Sequence, residues 1–339
     1  MKSSRVLLPT VALAMLLSMA SCGQPLAAPP VPRATTAPVA KPKKTYRDLI
    51  VGYVQLGAES EWRSANTDSV KEAAAQLGVE LRFSDAQQKQ ENQIKAIRSL
   101  IAQKVDVIGV APVVETGWVP VFKEAKEAGI PIILVDRRAA VPPDLYVTLM
   151  GSDFLEEGRN AARIMAKLTN GRADIVELQG TSGSAPANDR YVGFREILQD
   201  HPDMKIIDSQ DGDFTVAKGK EVMEAFLKKY GRNITALFAH NDDMALGAIK
   251  AIEEYGLRPG VDIKIVSVDA ARGAFDAMIA GKLNATVECN PLLGPLFIET
   301  ALKVVNGESV PTWMPSKEGE FLASQGAAQL EQILSTRKY

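Results

Sequence analysis

Cysteine is almost absent from this chain. Of 339 residues only Cys22 and Cys289 carry thiols, and only Cys289 falls in the part expected to fold. A disulfide scaffold is therefore excluded, and a domain of about 290 residues can be stabilised by its apolar core alone. Histidine is equally scarce. His201 and His240 cannot form a metal cluster by themselves, so no metal site and no cofactor are expected. The Walker lysine loop and the G-x-G-x-x-G, G-x-S-x-G and H-E-x-x-H patterns are missing too. Charge of one sign is also lacking: 41 acidic residues face 39 basic ones. With no basic stripe, nucleic acid is excluded as a partner. Past the first residues, no apolar run reaches the roughly 20 residues that span a bilayer, so any membrane-embedded partner is a separate chain.

What is present begins with Lys2 and Arg5 ahead of a short apolar run from Val6 to Leu17, the pattern of a secretory signal peptide. Ser18-Met-Ala-Ser-Cys22 follows and resembles a bacterial lipobox, in which Cys22 becomes the acylated first residue. Met19 stands where a leucine is usual, and ordinary cleavage nearby is the alternative. Residues 1–22 are thus expected to be a lipoprotein signal peptide. The Pro/Ala-rich stretch 23–47 has too little apolar surface to offset ordering entropy and is expected to be a tether. Such an arrangement places the protein in the periplasm or at the cell surface, held to the membrane by a lipid anchor.

From Leu49 onward, strand-like runs alternate with amphipathic helical segments. Leu49–Val54, Val79–Phe83, Val105–Val110 and Ile130–Val135 read as strands. The helix between the second and third carries Ile94, Ile97 and Ile101 on one face. The rhythm restarts after Leu145–Thr148, with strands expected at Asp174–Leu178, Lys205–Ser209, Ala236–Ala239, Ile263–Val268 and Ala285–Glu288. Such alternation signifies parallel βαβ crossovers. The fold class is α/β: two doubly wound parallel-sheet lobes joined by a hinge. The first lobe is expected over 48–150 and 289–311, the second over 151–288 and 312–339.

Ligands of open parallel sheets sit beyond the carboxyl ends of the strands. There the chain places Glu59, Trp62 and Arg63, then Asp136 and Arg137, Arg190, Asn241 to Asp243, and Asp269. Charge at the end of a buried strand is costly unless paired with a neighbour or a ligand. Asp242 and Asp243 precede an apolar helix and are expected to be caps rather than ligands.

Several long stretches resemble the type I periplasmic binding proteins, the ribose/galactose class of ABC sugar receptors, and among them the galactofuranose-binding branch. They are Glu59-Ser-Glu-Trp-Arg63, Gln87 to Lys95, Ala111-Pro-Val-Val114 with Thr116-Gly-Trp118, Val176 to Thr181, Gly219 to Glu224 and Ala239 to Met244. The resemblance implies that Glu59, Arg63, Asp136 and Arg137 bind ligand from the first lobe, and Arg190, Asn241 and Asp269 from the second. Trp62 is either a stacking face for the sugar or packing beneath its loop. Cys289 stands where the ribose branch has glutamine, and a thiol is a weak hydrogen-bond partner.

Vicinal hydroxyls suit this set, because carboxylate and guanidinium groups can fork them with charge-assisted bonds. The acids and bases of the set cancel, which fits a neutral monosaccharide, with a furanose such as galactofuranose expected. Two carboxylates near one sugar could suggest a glycosidase, but that chemistry needs one acid to stay protonated, and neighbouring guanidinium groups favour ionisation. A monomeric binding protein that serves an ABC transporter permease is expected, not an enzyme. The alternative is a sugar receptor feeding a sensor kinase or chemoreceptor.

Overall fold

Runs of Val, Ile and Leu long enough for a strand but too short for a helix set the frame of the molecule. A computed structural model describes residues 42–339. The expected signal peptide, Cys22 and the tether up to residue 41 lie outside the described residues. The first half carries β1 (Ile50–Gln55), α1 (Glu61–Leu77), β2 (Glu80–Asp85), α2 (Gln90–Ala102), β3 (Val107–Val110), α3 (Val119–Glu127), β4 (Ile132–Val135) and β5 (Thr148–Gly151). The second carries α4 (Phe154–Thr169), β6 (Ala173–Gln179), α5 (Ala185–Leu198), β7 (Met204–Asp211), α6 (Val216–Tyr230), β8 (Ala236–Ala239), α7 (Asp242–Glu254), β9 (Lys264–Asp269), α8 (Arg272–Ile279) and β10 (Ala285–Glu288). The remainder is α9 (Gly294–Val305), β11 (Trp313–Pro315), β12 (Glu320–Leu322) and α10 (Ala327–Thr336). Among the described residues no helix is long and apolar enough to cross a membrane.

Two six-stranded sheets result, ordered β2-β1-β3-β4-β5-β11 and β7-β6-β8-β9-β10-β12. The second repeats the order of the first. Every neighbouring pair is parallel except β10 with β12. Strands buried on both faces read as unbroken apolar runs, and β3, β4 and β8 are buried at every residue. Each sheet is covered on both faces. In the first lobe Tyr53, Val70 and Phe297 fill one layer and Ile97, Trp118 and Phe122 the other. A fully buried Phe contributes about 1.5–3 kcal/mol, so these rings hold the helices against the sheet.

The fold class matches the expectation, and three boundaries shift. Residues 43–47 are not tether: Lys44 exchanges backbone bonds with the Asn306 side chain at 2.8 and 3.0 Å, and its ammonium lies 2.6 Å from Asp106. Residues 313–315 pair with β5 and so belong to the first sheet, not the second. The rhythm restarts later than Leu145–Thr148: Pro143–Leu145 is a 3₁₀ turn, and β5 runs from Thr148 to Gly151. Three segments therefore cross between the lobes, around residues 152, 289 and 317.

Candidate ligand-binding site

The carboxyl ends of both sheets face one another across a narrow cavity. All of Glu59, Arg63, Asp136, Arg137, Arg190, Asn241 and Asp269 line it.

In the first lobe, Ser60 caps α1 by accepting the Arg63 N–H at 3.1 Å, which starts the helix so that Arg63 points inward. Arg63 donates from Nη2 to Asp136 Oδ2 at 2.7 Å and from Nε to Glu59 Oε1 at 3.2 Å. Burial disfavours the charged guanidinium, but Asp136 and Glu59 more than offset this and hold Arg63 above its ordinary pKa. Asp136 has a left-handed backbone, φ 68°, a costly conformation typical of functional sites. Gly151 makes it possible: its own φ is +146°, and a Cβ there would lie 3.0 Å from the Asp136 Cα. Arg137 donates to the Val113 carbonyl at 3.2 Å. Burial first, and then the Arg63 charge, bring it down to about 10, so it remains cationic at neutral pH. Glu59 Oε2, Arg63 Nη1 and Arg137 Nε are buried without a hydrogen-bond partner in the protein.

The second lobe repeats the device. Arg190 on α5 donates to Glu157 Oε2 at 2.7 Å and to the His240 carbonyl at 2.5 Å, and its Nη2 lies 3.7 Å from Asp269 Oδ1. Asp269 also has positive φ, 125°. Burial pushes its carboxyl well up, with Arg190 opposing. His240 is kept neutral by burial. Its Nδ1 accepts the Gly180 N–H at 3.4 Å, so Nε2 carries the proton towards Glu177 Oε1 at 3.2 Å.

Asn241 does more than line the cavity. It is the residue that caps α7, accepting the Met244 N–H at 3.0 Å, while its Nδ2 donates to the Phe214 carbonyl at 3.1 Å. The capping role expected of Asp242 and Asp243 thus belongs to Asn241. Asp242 instead accepts from Ser267 Oγ, Thr286 Oγ1 and the Ala271 N–H at 2.5, 2.9 and 2.8 Å. Asp243 reaches the other lobe and accepts the Glu61 N–H at 3.1 Å. Trp62 resolves towards packing: its Nε1 donates to the Cys289 carbonyl at 2.6 Å among buried core residues, and part of the ring still faces the cavity.

Sequence reasoning missed Phe154, Phe214 and Glu157: apart from Trp62 the strand-end candidates were polar, and Glu157 lies inside a helix. Phe214 follows β7, so the same rule extended to aromatic residues finds it. Its ring stands 5.2 Å from the Arg137 guanidinium, and a Cβ on Gly180 would fall 1.8 Å from the ring. Gly180→Ala must therefore displace this wall, and calorimetry should show ligand affinity reduced by about tenfold, the equivalent of about 1.4 kcal/mol.

The lobes also touch at the cavity rim. Arg138 donates to Asp189 at 2.8 Å and lies 2.5 Å from Glu115. The Glu115 N–H donates to the Gly183 carbonyl at 2.9 Å, and the Gly273 N–H to Glu61 Oε2 at 3.2 Å.

Two lobes closed over a shared polar cavity, with three connecting segments, define a solute-binding protein. The chain belongs to the periplasmic binding protein domain family, whose model matches residues 51–309. It is 50% identical over 254 residues to the galactofuranose-binding protein YtfQ of Escherichia coli (strain K12), covering 74% of this chain and 80% of that one. Among solved structures, it is 47% identical to the binding component of the arabinose ABC transporter from Shewanella sp. ANA-3, bound to α- and β-L-arabinofuranose. The TM-score is 0.81, covering 86% of this chain and 99% of that one. A Mycobacterium smegmatis protein in complex with β-D-fucofuranose is 49% identical, with a TM-score of 0.81, and the match covers 85% and 98% of the two chains.

Proposed function

We propose that this chain binds a neutral monosaccharide in its furanose form, galactofuranose first and arabinofuranose second, and delivers it to the permease of an ABC importer. The observation that carries the reading is the convergence of Glu59 Oε2, Arg63 Nη1 and Arg137 Nε on one cavity without protein partners. Each is a charged-group donor or acceptor of the kind that a pair of adjacent hydroxyls satisfies. Asp136, Asp269 and Glu59 balance Arg63, Arg137 and Arg190, which favours a neutral polyol over a phosphate or an amino acid. Ligand bridging both halves shifts the population from open to closed, and the closed monomer is the form presented to the permease. The furanose ligands of the similar solved proteins favour a five-membered ring.

The test is a co-crystal with free galactose or arabinose. A five-membered ring held by Asp136 and Asp269 is expected, and a six-membered ring in that position would overturn furanose selectivity. Because the furanose is a minor solution species, apparent affinity for the free sugar should be reduced by its small fraction.

Anchoring is part of the proposal. Cys22→Ser is expected to release the protein from membranes while leaving sugar affinity unchanged. Fractionation that finds wild type and variant equally membrane-bound, with no lipid on the mature N-terminus, would remove the anchor from the picture.

A further inference from the structure

Where the three connecting segments cross, one residue from each meets the others. Ser152 comes from the first, Cys289 from the second and Glu318 from the third. The Ser152 hydroxyl donates to Glu318 Oε1 and lies 3.2 Å from Cys289 Sγ, and the Asn290 N–H donates to the same Glu318 oxygen at 3.2 Å. Glu157 approaches from α4. Its Oε2 is taken by Arg190, but Oε1 has no hydrogen-bond partner although the residue is only 2% exposed. Cys289 Sγ and a carboxylate oxygen from each of Glu157 and Glu318 lie within 4.8 Å of one another.

We infer that Glu157, Cys289 and Glu318 form a site for one zinc-class divalent cation at the hinge. One thiolate and two carboxylates make three protein ligands, the number that leaves a fourth tetrahedral position open. Ser152 or a water fills that position. Donors on one tetrahedral zinc ion stand roughly 3.3–3.5 Å apart, so the cluster must contract by about an ångström, within reach of side-chain rotation. The sulfur ligand selects against hard cations, which favour oxygen alone. Entry is provided by a separate cleft lined by Glu157 and Glu318 together with Asp153, Asn160 and Ser316. The entry cleft is separate from the sugar cavity, which the site adjoins through Cys289 and through the Glu157 bond to Arg190. An ion here would tie the hinge segments to the second lobe through Glu157.

Equilibrium dialysis of the sugar-free chain against ZnCl2 tests this. Cys22→Ser is present in every arm so that Cys289 is the sole thiol. One ion per chain is expected, and Cys289→Ser and Glu318→Gln should each weaken binding at least tenfold. MgCl2 and CaCl2 should not compete. With CoCl2, a thiolate-to-metal charge-transfer absorption is expected and should vanish in Cys289→Ser, a signature that a site built only of carboxylates does not give. Far-ultraviolet circular dichroism confirms that each variant is folded, and the wild-type cobalt spectrum stands even if one variant is not. Sub-stoichiometric zinc, unchanged affinity in both variants, or cobalt bound without the sulfur band would overturn the inference.

Discussion

Asp269→Ala and Arg190→Ala are each expected to weaken monosaccharide binding by roughly thirtyfold or more, measured by calorimetry. Removing one member of a buried charged pair typically costs about 2–5 kcal/mol, and each 1.4 kcal/mol is about tenfold in affinity; Asp269 stands 3.7 Å from Arg190. The two variants differ in what they leave behind. Asp269→Ala keeps Arg190 on Glu157 and on the His240 carbonyl, so folding should be little changed. Arg190→Ala strands Glu157, but burial already pushes that carboxyl up, and a captured proton limits the damage. Near-native affinity in Asp269→Ala would contradict the site.

The melting temperature of Asp242→Asn relative to wild type is expected to rise as pH increases from about 4 to 7 and then to level off. Burial raises Asp242 from its ordinary value to about 7, against the pull of its three hydrogen-bond donors. Burial and then Glu61 and Glu59 raise Asp243 to about 6, against the Glu61 N–H bond. Both carboxyls therefore hold protons in the folded state at pH values where the unfolded chain has released them. Stability then declines with increasing pH through the folded pKa, at about 1.4 kcal/mol per pH unit for each proton held. His240, lowered by burial, acts in the opposite direction. It is common to wild type and Asp242→Asn, so the comparison of the two cancels it. A difference between the two proteins that does not change between about pH 4 and 7 would contradict the burial of Asp242.

The parts of the fold legible in the sequence were those with a strong local signal. Ala236–Ala239 and Ala285–Glu288 end where the apolar runs end. β11 gave no such signal, being three residues that include a proline. Proline is tolerated on an edge strand, and only the pairing with β5 defines the element. The seven residues taken from the strand ends do gather at one cavity. Their second duties were not legible, because the cap at Asn241 depends on which residue begins α7, and the Glu157–Arg190 pair depends on how α4 packs against α5. Nor was the company kept by Cys289, since Ser152 and Glu318 approach it from distant parts of the chain.

Because the two sheets share one strand order, Asp136 after β4 and Asp269 at the end of β9 occupy the same rung of their respective ladders. Arg63 and Arg190 likewise lie on the helices that follow β1 and β6. The receptor amounts to one hand built twice and set palm to palm, each with an arginine beside a conformationally strained aspartate. Such a clasp counts hydroxyl pairs on two opposite edges of a ring. A sugar that lacks the ring hydroxyls on one edge satisfies one palm only, and closure over it is expected to weaken.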